Sequence, residues 1–347
     1  MFQLIQINKN MSHLQKISIK PLCIFLTLVS YGMVLNSCKK EETAGKNANS
    51  NKISAIVADN FNLSVYNTAL IRTGLAKTTD KEGLFTAIAP SDDAFRNAGF
   101  GNATAILSAD PSRVATIMNY HILNGVYEFN KLPFLFNQEV RSANGGKLFV
   151  THWVKRGDTI LTINGSKVVS QNVKASNGLI QVIDRVLEPY THNLVVEAIA
   201  SDRDLSLFYQ ALQRSDLVET LNGKGPYTVF APNNAAMVAF GLRTIEDINA
   251  MDPAVLQRLV RYHISSDRRF VYDYVLSTGS ANRSDQTMLD GNSIQVILKP
   301  NPQVAGAFIG IELKGTGNTS VIQLSKQDVL TGNGVVHTIG GLLKITQ

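Results

Sequence analysis

Apolar positions fall at helical spacing over Leu63, Tyr66, Ala69 and Leu70 and stop at Gly74, which predicts a helix with a glycine C-cap. The next apolar run, Phe85 to Ala89, is short and closed by Pro90, so a strand is predicted there. Ser91 then stands where a new helix needs an N-cap, with Asp92, Asp93, Ala94 and Phe95 in its first turns. Carboxylates at such a start are favoured by the unpaired N–H groups, which accounts for Asp92 and Asp93 without acid–base chemistry. Asp110-Pro111 opens a further helix whose apolar stripe is Val114, Ile117, Met118 and His121, at i, i+3, i+4 and i+7. From Glu139 the period shortens. Lys147–Val154, Thr159–Ile163 and Lys167–Val173 read as strands joined by turns, and Asn177-Gly178 precedes a nearly continuous apolar segment up to Pro189, which suits a buried strand.

The same pattern then recurs. Tyr227-Thr228-Val229-Phe230-Ala231-Pro232 repeats the proline-closed strand, and Pro232 lies 142 positions after Pro90. At that offset Leu63 maps to Leu205, Ala69 to Ala211, Arg72 to Arg214, Asp110-Pro111 to Asp252-Pro253 and Tyr120-His121 to Tyr262-His263. The second helical stripe runs Leu256, Leu259, Val260, His263. A register held this far is an internal duplication, so the chain is two copies of one α+β domain, 52–190 and 191–347. The copies differ in length: His121 and Gly178 are 57 positions apart, His263 and Gly334 are 71. The extra residues are expected at Ser277–Gln286 or Lys299–Gly306, both rich in turn formers, and such loops are where binding sites grow.

Composition adds constraints. Of 347 residues, 44% are apolar and 17% charged, as in ordinary globular chains. Part of the net charge of +6 belongs to Lys9, Lys16 and Lys20, before any acid occurs, so the body gives no reason to expect nucleic acid. Both cysteines, Cys23 and Cys38, precede the copies, which must hold together by packing alone.

The N-terminus has its own pattern. Lys16 to Lys20 is a basic stretch, Pro21 to Leu35 an apolar run too short to span a bilayer comfortably, and Leu35-Asn36-Ser37-Cys38 follows. This resembles a bacterial lipobox, which implies a signal peptide over 1–37, lipidation of Cys38 and a membrane partner through its acyl chains. Residues 38–51, rich in Asn, Ser, Ala and Gly, read as a flexible tether. Lys39-Lys40-Glu41-Glu42 is either a solvated charge cluster or similar to the surface-export signal of Bacteroidetes-type lipoproteins.

Three motifs recur in order in each copy: Phe85–Phe95 with Tyr227–Met237, Tyr120-His121 with Tyr262-His263, and Asn177–Pro189 with Asn333–Ile345. Together they resemble the fasciclin (FAS1) domain. The resemblance implies, for each copy, a β-wedge of short strands packed against several helices. It makes Pro90, Tyr120, His121, Asn177, Gly178, Asp184, Pro232, Tyr262, His263, Asn333, Gly334 and His337 family-motif positions, read here as structural. The first copy departs from the pattern at Gln181, where the family has histidine, and the second at Gly340-Gly341. In animal members the surroundings of the Tyr-His motif are implicated in receptor binding, but the helical stripe puts both histidines on a buried face.

No nucleophile elbow, zinc-binding helix motif or phosphate-binding glycine loop is present, and the six histidines are scattered. No cofactor, metal or catalytic residue is therefore expected. The sequence points to a lipid-anchored, non-catalytic adhesion or interaction protein of the cell envelope, with a protein or glycan partner. The alternative is an accessory lipoprotein that binds glycan or peptide for an outer-membrane importer. Trp153, Tyr272 and Tyr274, with Arg268 and Arg269 beside the latter two, are the ligand candidates.

Overall fold

The structure, a computed structural model, describes residues 51–81 and 83–346. Cys38, the signal-like segment and most of the tether lie outside the described residues. The first copy opens with helices α1 (Ile53–Asp59), α2 (Ser64–Arg72) and α3 (Leu75–Thr79), followed by strand β1 (Phe85–Pro90). Helices α4 (Asp92–Asn97), α5 (Ala103–Ser108) and α6 (Pro111–Tyr120) come next. Strands β2 (Ile122–Asn124), β3 (Gln138–Arg141), β4 (Lys147–Lys155), β5 (Asp158–Ile163), β6 (Ser166–Ala175) and β7 (Gly178–Ile183) complete it. Their order in the sheet is β2-β1-β7-β6-β5-β4-β3, with β1 and β7 parallel and the other neighbours antiparallel.

The second copy repeats this with α7 (Val195–Ser201), α8 (Ser206–Arg214), α9 (Val218–Leu221), β8 (Tyr227–Pro232), α10 (Asn234–Phe240), α11 (Ile245–Ala250) and α12 (Pro253–Arg261). It continues through β9 (Ile264–Ser265), α13 (Val271–Ser277), β10 (Arg283–Thr287), β11 (Ser293–Pro300), β12 (Phe308–Lys314), β13 (Ile322–Thr331) and β14 (Gly334–Ile339). Its sheet order, β9-β8-β14-β13-β12-β11-β10, matches the first, again with one parallel pair, β8 and β14.

The central strand in each copy is buried on both faces, and its alternation builds two cores. Ala87 and Ala89 pack with the helices, among Tyr66, Leu70, Ile117 and Met118. Ile88, one step out of phase, packs on the other side with Tyr120, Leu148, Val150 and Leu161. In the second copy Val229 and Ala231 face the helices while Phe230 joins Tyr262, Val296 and Leu313.

Helix starts are capped as the sequence suggests, with one difference. Ser91, Asp110, Asn233 and Asp252 accept backbone N–H groups of their own helices. Asp92, however, reaches a neighbouring helix, accepting from Val65 N at 2.9 Å and Ser64 Oγ at 2.6 Å. Asn234 does the same in the second copy, accepting from Leu207 N at 3.0 Å. The shared role is to end-cap a neighbour, and it needs an oxygen rather than a charge.

The added length of the second copy is spread over three places. The short 3-10 turn Phe129–Lys131 of the first copy has the helix α13 as its counterpart, and the 301–307 loop replaces a tight turn at Arg156-Gly157. Of these, the 301–307 loop matches the expected Lys299–Gly306, whereas α13 lies ahead of the expected Ser277–Gln286 and the third place, the 315–321 loop between β12 and β13, was not among the expected sites. It ties down the C-terminal segment: Asn318 Oδ1 accepts Lys344 N at 2.9 Å and Asn318 Nδ2 donates to Leu342 O at 3.0 Å.

Candidate functional site

The positions shared by the two copies have their polar atoms turned inward. His121 Nδ1 lies 2.8 Å from the carbonyl of Ile117, and its Nε2 accepts Leu187 N–H at 3.1 Å. His263 does the same with Leu259 O at 2.8 Å and Leu343 N–H at 3.0 Å. Each imidazole thus bonds the last turn of its helix to the segment beyond the final strand, and the tautomer is fixed with the proton on Nδ1. Burial lowers both pKa values to about 4, so both rings are neutral at physiological pH.

The remaining motif residues follow suit. Tyr120 and Tyr262 are fully buried, and their hydroxyls donate to the carbonyls of Lys147 and Ser293 on the equivalent strands. Asn177 Oδ1 accepts Ile53 N–H at 2.9 Å, and its amide donates to Thr79 O. Asn333 repeats this with Val195 N–H at 2.8 Å and Leu221 O at 2.8 Å. Pro90 and Pro232 end the central strands. Asp184 Oδ1 accepts Lys167 N–H at 2.8 Å and Ser166 Oγ–H at 2.9 Å.

Gln181, the departure in the first copy, reproduces what His337 does in the second. Gln181 Oε1 accepts Asn172 N–H at 3.0 Å and its Nε2 lies 3.3 Å from Tyr127 O. His337 Nδ1 accepts Asp328 N–H at 3.1 Å and its Nε2 lies 2.9 Å from Arg269 O. Asn172 and Asp328 both have positive φ, so the side chain inside each sheet serves the same irregular strand.

The two copies meet along a seam that the sequence did not foreshadow. The described residues of both copies belong to one compact unit, in which α13 of the second copy packs on β4 of the first. On β4 the alternate residues Phe149, Thr151 and Trp153 share the face turned to the seam. Phe149 joins Phe270, Leu330, Val335 and Tyr190 in an apolar cluster drawn from both copies. Asp273, buried at the centre, accepts from Thr151 Oγ at 3.0 Å, Asn137 Nδ2 at 3.0 Å and Phe270 N at 2.9 Å. Burial pushes the Asp273 carboxyl up to about 6, against these three hydrogen bonds and the nearby Arg269, which pull it down. Arg268 stacks 3.7 Å over the Phe149 ring and Arg269 4.6 Å over Phe136. Arg185 pairs with Asp328 at 2.8 Å, and the other oxygen of Asp328 accepts Val271 N–H at 2.7 Å at the start of α13. Gly165 permits the approach, since a Cβ there would lie 2.6 Å from Phe270 Cβ.

The packing of α13 on its own sheet and against the seam sorts the ligand candidates. Tyr274 is 2% exposed and belongs to the core beside Val296 and Leu313, so it presents no surface to a ligand. Its position one turn into α13, invisible in the sequence, is the reason. Trp153 is half-buried with its ring 4.5 Å from Phe136, and Arg268 and Arg269 are committed to the seam. Tyr272 is half-buried, with Lys167 Nζ 5.6 Å from its ring, and it lines a cleft beside the seam.

That cleft has a volume of about 580 Å3 and is the candidate functional site. Lys155 and Arg156 enter from the β4–β5 turn, Lys167 from β6 and Arg185 from just beyond β7; Val271, Tyr272, Val275 and Leu276 come from α13. The 301–307 loop and the start of β12 form the opposite wall. Asp158, Asp184 and Asp328 supply carboxylates. Lys155 donates to the carbonyl of Thr278, and burial together with the adjacent Arg156 lowers its pKa. Among the described residues no group of His, Cys, Asp and Glu side chains could hold a metal ion, and no helix is long and apolar enough to cross a membrane.

The family model for the fasciclin domain matches twice, over residues 61–189 and 203–345. The chain belongs to the fasciclin domain family. Human periostin is similar at 26% identity over 277 residues, covering 78% of this chain and 29% of periostin. Protein sll1483 of Synechocystis is 30% identical over 173 residues, 47% of this chain and 92% of that protein. The chain spans about a third of the length of curated relatives such as periostin and the pig transforming growth factor-beta-induced protein ig-h3, at 29% and 35%. A solved FAS1 domain pair from the insect cell adhesion molecule fasciclin I is 20% identical with a TM-score of 0.39, covering 82% of this chain and 97% of that one. Fasciclin domains are adhesion and interaction modules, and this chain carries two of them.

Proposed function

We propose that the protein is a lipid-anchored, extracytoplasmic adhesion or interaction protein, non-catalytic, built from two fasciclin domains. One observation carries this reading. The histidine, tyrosine and asparagine side chains of the motifs common to both copies are consumed by internal hydrogen bonds, so these repeated residues build a scaffold. Family membership and the lipobox-like Leu35-Asn36-Ser37-Cys38 support it. The test combines mass analysis of the mature N-terminus with protease treatment of intact cells. Acyl chains on Cys38 and cleavage of the domains from outside are expected. An unmodified Cys38 removes the anchor from the proposal, and domains that stay protected remove adhesion to other cells.

The alternative, an accessory lipoprotein that presents glycan or peptide to an importer, draws support from the interdomain cleft with its cations and Tyr272. Co-isolation of the protein with an outer-membrane transporter after cross-linking in cells is the outcome that would favour it.

A further inference from the structure

We propose that the cleft between the two fasciclin domains binds an acidic oligosaccharide, a chain of sugars bearing carboxylates. For its biological setting this rests on the interaction reading above; its chemistry rests on the cleft alone. Small-molecule clefts of about 300–1,000 Å3 at domain boundaries are a common setting for ligands, and this one, at about 580 Å3, lies within that range. Three cations in it, Lys155, Arg156 and Lys167, form no salt bridge among the described residues; only Arg185 is paired, with Asp328. They come from the end of β4, the β4–β5 turn and β6 of one sheet and converge on a single space. Like charges are brought together at a cost that an anionic ligand would offset.

The carboxylates narrow the class. Asp158 and Asp184 lie in the same cleft, and they would repel a ligand that is negative all over, such as a phosphate or a polysulfate. A sugar acid uses both kinds of group: its carboxylate meets the cations, while its hydroxyls donate to aspartates. Tyr272 adds a ring, already approached by Lys167 Nζ at 5.6 Å, against which the apolar face of a sugar can rest. An extended acidic peptide would instead gain affinity by pairing its main chain with an open strand edge. The terminal strands β2, β3, β9 and β10 lie outside the cleft, but β5 before Thr162 and β12 before Glu312 have no partner on their second side, so hexaglutamate is the probe that separates a peptide from a sugar acid.

The repeats also differ where the cleft needs them to. In the first copy β4 and β5 join through the tight Arg156-Gly157 turn; in the second the equivalent connection is the 301–307 loop, which forms the far wall. The lengthening visible in the sequence therefore builds one side of the cleft.

Titration calorimetry of the full chain with oligogalacturonates, malto-oligosaccharides and hexaglutamate tests this. The oligogalacturonates are expected to bind, more weakly as salt rises, and Lys167→Gln and Arg156→Gln are each expected to weaken binding about tenfold. Melting temperatures of both variants should stay close to that of the unsubstituted protein, since neither side chain has a salt-bridge partner to lose and Lys167 gives up only its 5.6 Å contact with the Tyr272 ring. The proposal is overturned by no binding of any sugar, by equal binding of the neutral sugars, by tighter binding of hexaglutamate, or by variants that bind unchanged. Each of these leaves the adhesion reading standing, because that reading is tested on cells.

Discussion

His121 and His263 show how a polar residue becomes a structural one. Each ring has both nitrogens satisfied by backbone groups, one on its own helix and one beyond the last strand. Removing the ring orphans a buried N–H and leaves a void, so His121→Ala or His263→Ala should lower stability by roughly 1–3 kcal/mol, read from denaturant unfolding. The pH dependence follows from the direction of the shift. A histidine whose folded pKa is depressed contributes stability that is complete above the unfolded value near 6.5 and is lost as pH falls toward about 4. The unsubstituted protein should therefore melt at progressively lower temperature across that window. A variant lacking one of these histidines should show a shallower fall; an unchanged slope would mean that the rings already accept protons in the folded state.

At the level of elements, the turn before the last strand is set by space. Gly178 has φ of +149°, and a Cβ there would lie 1.8 Å from the carbonyl oxygen of Phe85 on the parallel neighbour β1. Gly334 meets the carbonyl of Tyr227 at 2.3 Å in the second copy. Gly178→Ala must separate the central strand pair, and a loss above about 2 kcal/mol is expected. Gly279→Ala, where a Cβ would touch nothing within 4 Å, should change stability by less than about 0.5 kcal/mol. Comparing the two variants in thermal melts separates strand clash from any general intolerance of alanine. The Asn side chains before these glycines hold the first helix of each copy onto the sheet, which explains why Asn-Gly stands at both places.

For the molecule as a whole, Asp273 is the connection to break. Asp273→Ala would leave Thr151 Oγ and Phe270 N without their acceptor inside the seam, and Asn137 Nδ2 with only the carbonyl of Arg268. Calorimetry should show the unsubstituted protein unfolding in one transition and the variant in two, as the domains uncouple. A single transition in both would mean that the apolar cluster around Phe270 carries the coupling by itself. Asp273 also works against the histidines in pH. Its folded pKa is raised, so its contribution is complete below the unfolded carboxylate range and is lost as pH rises through about 6. In Asp273→Asn the acid-side fall in melting temperature between about pH 6 and pH 4 should be steeper than in the unsubstituted protein.

The duplication, the proline-closed strands, the helix caps and the buried histidine stripe were all legible in the residues, because each is set by contacts between near neighbours or by the spacing of apolar side chains on one face. The closing strand was legible for the same reason: Asn-Gly followed by an apolar run admits few other conformations. Three things were not. Asp92 caps a helix that begins 28 positions earlier, at Ser64. Tyr274 and Tyr272 sit two apart in the sequence, yet one is sealed in the core while the other borders the cleft, a difference set by which face of α13 meets the sheet of its own copy. The seam itself joins Asn137 and Thr151 to Asp273 across more than a hundred residues, with no periodicity to announce it. Local chemistry determined what each copy would become; how the copies meet, and the cleft that results, depended on side chains that only the folded chain brings within reach.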